Sequence, residues 1–390
     1  MRITWTDEQR DRREHFRRFG VERVTPGTAE RDRSGTFHRD SWKRLAAEGF
    51  WTAHLPREHG GDGGTLWDFL AGLEGLAAGA DDSGFTLSAV AHAGLVHVLL
   101  EHGTTEQKRR LLPQLASGAL GATAATEPTG GSHVAAVHTR AREDGADTWL
   151  LTGEKVHITN APEADVALVV GRLDGIGKRD ITLFVLERGR RGFSTGEHED
   201  LLGQRTSPTG PIHLADVPVT RDDMVGAPGD GLATLYSFLA FDRLMYGIVV
   251  AAQLEARLPA TIARTSTRQA FGTVLGNHEY IQDKIVTMRT TIESARHLAY
   301  AAADALLRDD DSYGALASCA KLAASEGMVE SAVEMVQIFG HLGYDRAFGV
   351  ERLLRDAVAI RIAGGTTEMQ KKNIYKDVVA RYAPTAERGA

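Results

Sequence analysis

Residues 148–173 read TWLLTGEKVHITNAPEADVALVVGRL, and the fold class turns on them. Their apolar residues come singly in alternation or in short runs, broken by Gly153, Asn160 and Pro162, without the three- and four-residue recurrence of an amphipathic helix. The stretch reads as three strands, TWLLTG, KVHITN and DVALVVGR. Working outward, the same pattern gives GATAATE (121–127) and AVHTRARE (136–143) upstream, then DITLFVLE (180–187) and PIHLADVPV (211–219) downstream. Short strands at roughly even spacing predict a compact β unit over residues 120–229, a small sandwich or barrel. No helical segment between them is long enough for a parallel crossover, which argues against a doubly wound dinucleotide-binding sheet.

On either side the period becomes helical. Residues 1–119 carry FHRDSWKRLAAEGFW, TLWDFLAGLEGLAAGA and TEQKRRLLPQLASG, with HGGDGG (59–64) after Pro56 marking a loop. The most apolar stretch, GFTLSAVAHAGLVHVLL (84–100), is just too short to span a bilayer and carries His92 and His97, so it reads as a buried helix. Residues 230–390 hold three long alanine- and leucine-rich segments, at 231–258, 277–307 and 313–340, as a helical bundle requires. The expected fold class is therefore α+β: an N-terminal helical domain (1–119), a middle β domain (120–229) and a C-terminal four-helix-bundle domain (230–390).

Composition narrows the function classes. The chain has 390 residues, 42% of them hydrophobic and 25% charged, which excludes a disordered or disulfide-framework protein. A net charge of −7 offers no general attraction to nucleic acid or an acidic membrane surface. The single cysteine, Cys319, makes neither an internal disulfide nor a Cys-rich metal site, and no metal is expected. The highly charged N-terminal segment lacks the apolar core of a secretory signal, so a cytoplasmic location is expected.

Five polar segments are candidates for chemistry: TEPTGGSH (126–133), KVHITN (155–160), RQAFG (268–272), QIFGHLGY (337–344) and RIAGGTTEMQ (361–370), the last preceded by Arg355-Asp356. Each alone has an ordinary structural reading: a chain reversal, a half-buried strand, a solvated arginine at a helix break, a glycine-terminated helix, a loop-to-helix join. In the last, Thr367 and Gln370 have capping-box spacing, and a new helix beside two glycines presents free N–H groups to ligand oxygens.

Taken in order, the five resemble the acyl-CoA dehydrogenase superfamily of flavoproteins over residues 5–382. TEPTGGSH is similar to that family's TEP-x-x-GS-D loop, KVHITN to its K-x-W-IT-N strand, RQAFG to its R-x-x-FG turn and QIFGHLGY to its Q-x-x-GG-x-GY segment. The resemblance implies FAD as cofactor. Ala125, Thr126, Gly131 and Ser132 are then expected at the ring and pyrophosphate, with Ser132 also near the substrate, and His157 and Thr159 on the ring's other side. Arg268 and Phe271 would serve the pyrophosphate and adenine of a second chain, Gln337 and Gly340 the adenine end, and Thr366 and Glu368 would close over the cofactor. His133, His157 and His341 depart from the family pattern, which commonly has Asp, Trp and Gly there.

The resemblance also implies α,β-dehydrogenation of an acyl thioester, carried on coenzyme A or an acyl carrier protein. Many members place a glutamate base where this chain has Gly364. Isovaleryl- and long-chain-type members place it on the first long C-terminal helix, just before an arginine, where this chain reads Asp242-Arg243. Asp242 is then the expected base, one methylene shorter than the usual glutamate, with Arg243 along the thioester arm. The Gly364 amide would bind the thioester oxygen, an oxyanion-hole role that needs no side chain. An electron-transfer flavoprotein is the implied partner, in a homotetramer or homodimer. The alternative is a flavin-dependent monooxygenase, acting on nitrogen or sulfur with flavin reduced by a separate reductase, in which the base is dispensable.

Overall fold

The first helices begin where the sequence supplies caps. Thr6 and Thr104 cap α1 (Asp7–Phe19) and α6 (Thr105–Ala116) through reciprocal bonds with Gln9 and Gln107, and Asp82 caps α5 (Ser83–His102) by accepting from the Phe85 amide at 3.0 Å. Between them lie α2 (Thr28–Ser34), α3 (Arg39–Ala47) and α4 (Leu66–Gly79). The structure, a computed structural model, describes residues 5–383; the ends of the first and last expected domains, 1–4 and 384–390, lie outside the described residues.

Eight strands follow: β1 (Gly121–Ala124), β2 (Arg140–Gly145), β3 (Thr148–Thr159), β4 (Val166–Leu173), β5 (Ile181–Glu187), β6 (Phe193–Thr195), β7 (Thr209–Thr220) and β8 (Met224–Val225). They hydrogen-bond in the order β6-β7-β3-β2-β4-β5-β8, with β1 parallel to β4. β2 and β4 share only two paired residues on each strand, and the two halves of the sheet enclose Trp149, Leu151, Val169, Phe184, Ile212 and Val217. β4 is an unbroken apolar run because both its faces are buried: Ala167 and Val169 face that core, while Val166, Leu168 and Val170 join the larger core shared with the helices.

TWLLTG and KVHITN are one strand rather than two. The pairing of β3 with β7 slips between Leu151 and Gly153 and again between Lys155 and Ile158, so the alternation breaks twice while the strand continues. β6 and β8, three and two residues long, were not legible, since so few residues show no period.

The C-terminal part is built on α7 (Gly231–Thr267), whose 37 residues run into a small hairpin, β9 (Gln269–Ala270) and β10 (Thr273–Val274). α8 (Glu279–Leu307) and α9 (Tyr313–Phe339) pack against α7 and each other; α10 (His341–Tyr344), α11 (Val350–Ile360) and α12 (Thr367–Tyr382) close on α9. α5 and α7 are long and apolar enough to cross a membrane by length and composition, yet 94% and 83% of their apolar windows are buried inside the protein. Their apolarity is therefore satisfied by the core, where α5 packs on α7, β1 and α6.

Candidate active site

α7 carries Asp242 inward, on the face that also bears Tyr246, Val249, Val250 and Gln253 at helical spacing. Asp242 is 4% exposed, and among the described residues nothing donates a hydrogen bond to its carboxylate. Burial raises its pKa to about 7, against the opposing pull of Arg243 and Lys321. A buried carboxyl titrating near neutrality suits a group that accepts a proton.

Gly364 faces this carboxylate directly. A methyl group at Gly364 would lie 2.7 Å from Oδ2 of Asp242 and 2.7 Å from Cε2 of Tyr246, and its φ of +64° also disfavours a side chain. The space that a longer residue at 364 would need is occupied by the acid reaching in from α7. The two possible positions for a base thus exclude one another in this chain.

The loop around Gly364 is held by its carbonyls. Nε of Arg243 donates to the Gly364 oxygen at 3.1 Å, Nε2 of Gln370 to the Gly364 and Gly365 oxygens at 3.2 and 2.7 Å, and Nζ of Lys321 to the Gly365 oxygen at 2.8 Å. The Gly364 N–H donates to nothing among the described residues, so it is available to an acceptor in the site. Arg243 is buried, with its Nε donating to this loop. One expectation changes here. Thr367 and Gln370 make no capping box: Thr366 is the N-cap of α12, and Gln370 turns to the glycine carbonyls instead.

In the β domain, the loop after β1 is fixed by a buried ion pair. Oε1 of Glu127 accepts from Nζ of Lys155 at 2.8 Å and from the amide and hydroxyl of Thr139 at 2.9 and 2.6 Å, and Oε2 accepts from the His138 amide at 2.7 Å. Burial alone would raise the Glu127 pKa, but Lys155, Thr139 and the amides hold it down to about 2, while burial lowers Lys155 to about 8. The Val156 amide donates to the Thr126 oxygen at 3.0 Å, which ties this loop to β3. Ala125, Thr126 and Thr159 are half-buried at that junction, and Gly131 and Ser132 lie exposed in the loop. His157 sits in the second bulge of β3 at φ +57°, its amide and Nδ1 bonded to Glu199 at 3.3 and 2.8 Å.

The remaining candidates gather elsewhere. Phe271 is 99% exposed at the tip of the β9–β10 hairpin, next to the exposed Arg268. Arg264 donates to the Phe339 oxygen at 3.3 Å, which brings this hairpin to the same end of the bundle as the exposed Gln337 and Gly340. The hairpin is far from Asp242: 26 residues along α7, at 1.5 Å each, is roughly 39 Å. Thr366 and Glu368 follow all of these in sequence, at the start of α12 beside the Gly364 loop.

Comparison with known proteins decides what this assembly is. The chain matches the family profiles "Acyl-CoA dehydrogenase, N-terminal domain" over residues 6–119, the middle domain over 122–217 and the C-terminal domain over 229–379. It belongs to the acyl-CoA dehydrogenase family. The short-chain specific acyl-CoA dehydrogenase of Clostridium acetobutylicum is 34% identical over 95% of this chain and 98% of its own length. Among solved structures, the prolyl acyl carrier protein oxidase AnaB superposes with a TM-score of 0.92 at 28% identity, over 96% of this chain and 100% of that one. PigA with FAD and proline gives 0.92 at 27% identity, over 98% and 100%.

Within this acyl-CoA dehydrogenase family member, several supporting residues escaped the sequence reading. Lys321 stands alone among alanines in ASCAKLAASEG, a lysine on an apolar face, and that isolation was the available signal. Glu127 and Lys155 were quoted only as parts of motifs; their partnership spans 28 residues and needs the fold to appear. Tyr246 looked like any core residue. Arg355 and Asp356 hold the architecture: Arg355 pairs with Asp32 and Glu351, and Asp356 accepts from the Gln204 amide at 2.6 Å.

Proposed function

We propose that this protein is an FAD-dependent acyl-thioester dehydrogenase in which Asp242 removes the α proton. The observation that carries this reading is the Asp242 carboxylate: buried, without a hydrogen-bond donor among the described residues, its pKa raised to about 7, and facing the Gly364 backbone. Family membership and the full-length likeness to an acyl-CoA dehydrogenase and a carrier-protein oxidase support the acyl thioester as substrate class.

The residues present fit FAD. The fixed Ala125–Ser132 loop and the His157–Thr159 bulge form one polar junction, Gly130 has open space where a side chain would otherwise stand, and a solved relative carries FAD on this fold. Ala125, Thr126, Gly131, Ser132, His157 and Thr159 would hold the ring end and Thr366 and Glu368 would flank it. Bound there, FAD supplies the acceptor for the hydride leaving the β carbon. Arg268, Phe271, Gln337 and Gly340 lie too far from Asp242 to hold the same cofactor within one chain, which supports a homo-oligomer whose FAD sites are shared between copies. A phenylalanine 99% exposed on a hairpin suits such a contact.

The chain's own chemistry then divides cleanly. Asp242, ionised above about pH 7, takes the α proton. The Gly364 amide donates to the thioester oxygen as it gains enolate charge, and Arg243, Gln370 and Lys321 hold the loop so that this N–H stays aimed. The base on α7 with glycine at 364 supports the isovaleryl- and long-chain-type arrangement, and electrons would leave to an electron-transfer flavoprotein. The oxygenase alternative has no use for a buried unpaired acid beside Gly364. Anaerobic mixing of the FAD-loaded protein with acyl thioesters tests the reading: bleaching of the flavin is expected. A flavin that stays oxidised with every thioester, while oxygen is consumed once a reductase and NADH are added, would overturn it.

A further inference from the structure

Two buried cations hold the Gly364–Gly365 carbonyls, and neither has an ion-pair partner. Lys321 is 0% exposed among Ala317, Ala320 and Ala324 of α9, and Arg243 is buried on α7. Among the described residues no carboxylate oxygen lies within 4.0 Å of either. Lys321 has two backbone carbonyls instead: its Nζ donates to the Gly365 oxygen at 2.8 Å and to the Arg361 oxygen, where α11 ends, at 3.3 Å. A helix C-terminus favours a cation, but neutral carbonyls do not balance a buried charge, and burial lowers the Lys321 pKa to about 8. The charged groups facing Lys321 are Asp242 and Arg243 from α7, Glu326 on its own helix and Arg361 at the end of α11. Glu326 is already engaged, by Nε of Arg361 at 2.9 Å and by the Thr367 hydroxyl. Tyr246 and Tyr313, which face Asp242, are kept neutral by burial. Asp242 is therefore the buried carboxylate that both cations face.

Resting on the dehydrogenase reading above, we propose that Lys321 is a positioning residue whose buried charge, beyond its bond to the loop, is the counter-ion of the negative charge that proton transfer moves between Asp242 and the thioester oxygen. Holding a carbonyl needs only a donor, which a glutamine amide would supply without burying a charge. A lysine there adds a full positive charge in a site shielded from water, where charges act far more strongly than in solvent. The count balances. With Asp242 ionised, the two cations face one negative charge. When the α C–H bond breaks, its proton passes to Asp242 and its electron pair to the thioester oxygen, so the cations again face one negative charge.

The test uses the FAD-loaded protein and 3-thiahexanoyl-pantetheine, a thioester on the arm common to coenzyme A and carrier proteins. Its β sulfur acidifies the α proton and leaves no β hydrogen to transfer, so the ligand stops at the enolate, which oxidised flavin reports as a long-wavelength absorption band. The pH at which half the band has appeared is the readout, an equilibrium and not a rate. Lys321→Gln, which keeps a donor, and Lys321→Met should both raise this midpoint by about one unit, which is 10-fold less enolate at a given pH below it, with FAD content unchanged. A glutamine variant with the wild-type midpoint overturns the proposal and leaves the dehydrogenase reading standing. The reciprocal measurement leaves Lys321 in place. In Asp242→Asn, NMR of lysine labelled with 13C at Cε should show Lys321 titrating about one unit below its wild-type midpoint, and an unmoved midpoint equally overturns the proposal. A wild type that binds the ligand by calorimetry but shows no band at any pH overturns the dehydrogenase reading itself.

Discussion

In the proposed reaction Asp242 gathers most of the chemistry into one carboxyl, and its environment makes a pH statement. Burial raises its pKa to about 7 from 3.8, so the proton-accepting form appears as pH rises through about 7. The initial rate of flavin bleaching should climb with pH up to that point and level off above it; a rate already flat from pH 5 would contradict a base with this pKa. Gly364 is the second decisive residue. Gly364→Ala places a methyl group 2.7 Å from both Asp242 and Tyr246 at a positive φ, and is expected to cost about 1–3 kcal/mol in thermal unfolding and to slow bleaching by displacing the acid. Asp242 and Gly364 were singled out by residue identity, an Asp-Arg pair and a missing glutamate, and the structure brings the two together. Tyr246 and Lys321 were not, since what matters about them is how far each lies from a residue distant in the chain.

At the scale of elements, the β1–β3 junction shows how a buried pair positions a loop. Lys155 is fully buried against Glu127, which three further hydrogen bonds, two from Thr139 and one from the His138 amide, hold ionised. Removing one partner of a buried pair leaves the other uncompensated. Lys155→Met should therefore destabilise the protein by about 3–5 kcal/mol in urea unfolding and weaken FAD binding measured by fluorescence, whereas unchanged FAD affinity would detach this pair from the cofactor site. The strands themselves were readable from alternation, but the bulges in β3 were not. They follow from how β3 meets β7, and the second bulge is what presents His157 at φ +57° toward Glu199. The capping of α12 was misassigned by one residue: Thr366 is the N-cap, and Gln370 donates its amide to the glycine carbonyls instead of accepting from an N–H at the helix start.

For the whole molecule, the order of helices, sheet and bundle was legible because each part has its own period, and the periods change sharply near residues 120 and 230. What the sequence could not express was the roughly 39 Å along α7 that separates Asp242 from Arg268, the span on which the proposal of a shared site rests. The buried acid also carries a cost for the fold. Its native pKa lies above its unfolded value of 3.8, so its contribution is fully present below that pH and is lost as pH rises through about 7. Asp242→Asn should consequently be more stable than wild type at pH 8, by on the order of 3 kcal/mol, with the gap shrinking toward pH 5. The most direct test of the account is the same Asp242→Asn variant, loaded with FAD and mixed anaerobically with butyryl-pantetheine. Flavin content is expected to be unchanged and the bleaching rate to fall by about 10²–10⁴. A variant that bleaches as fast as wild type would take Asp242 out of the reaction.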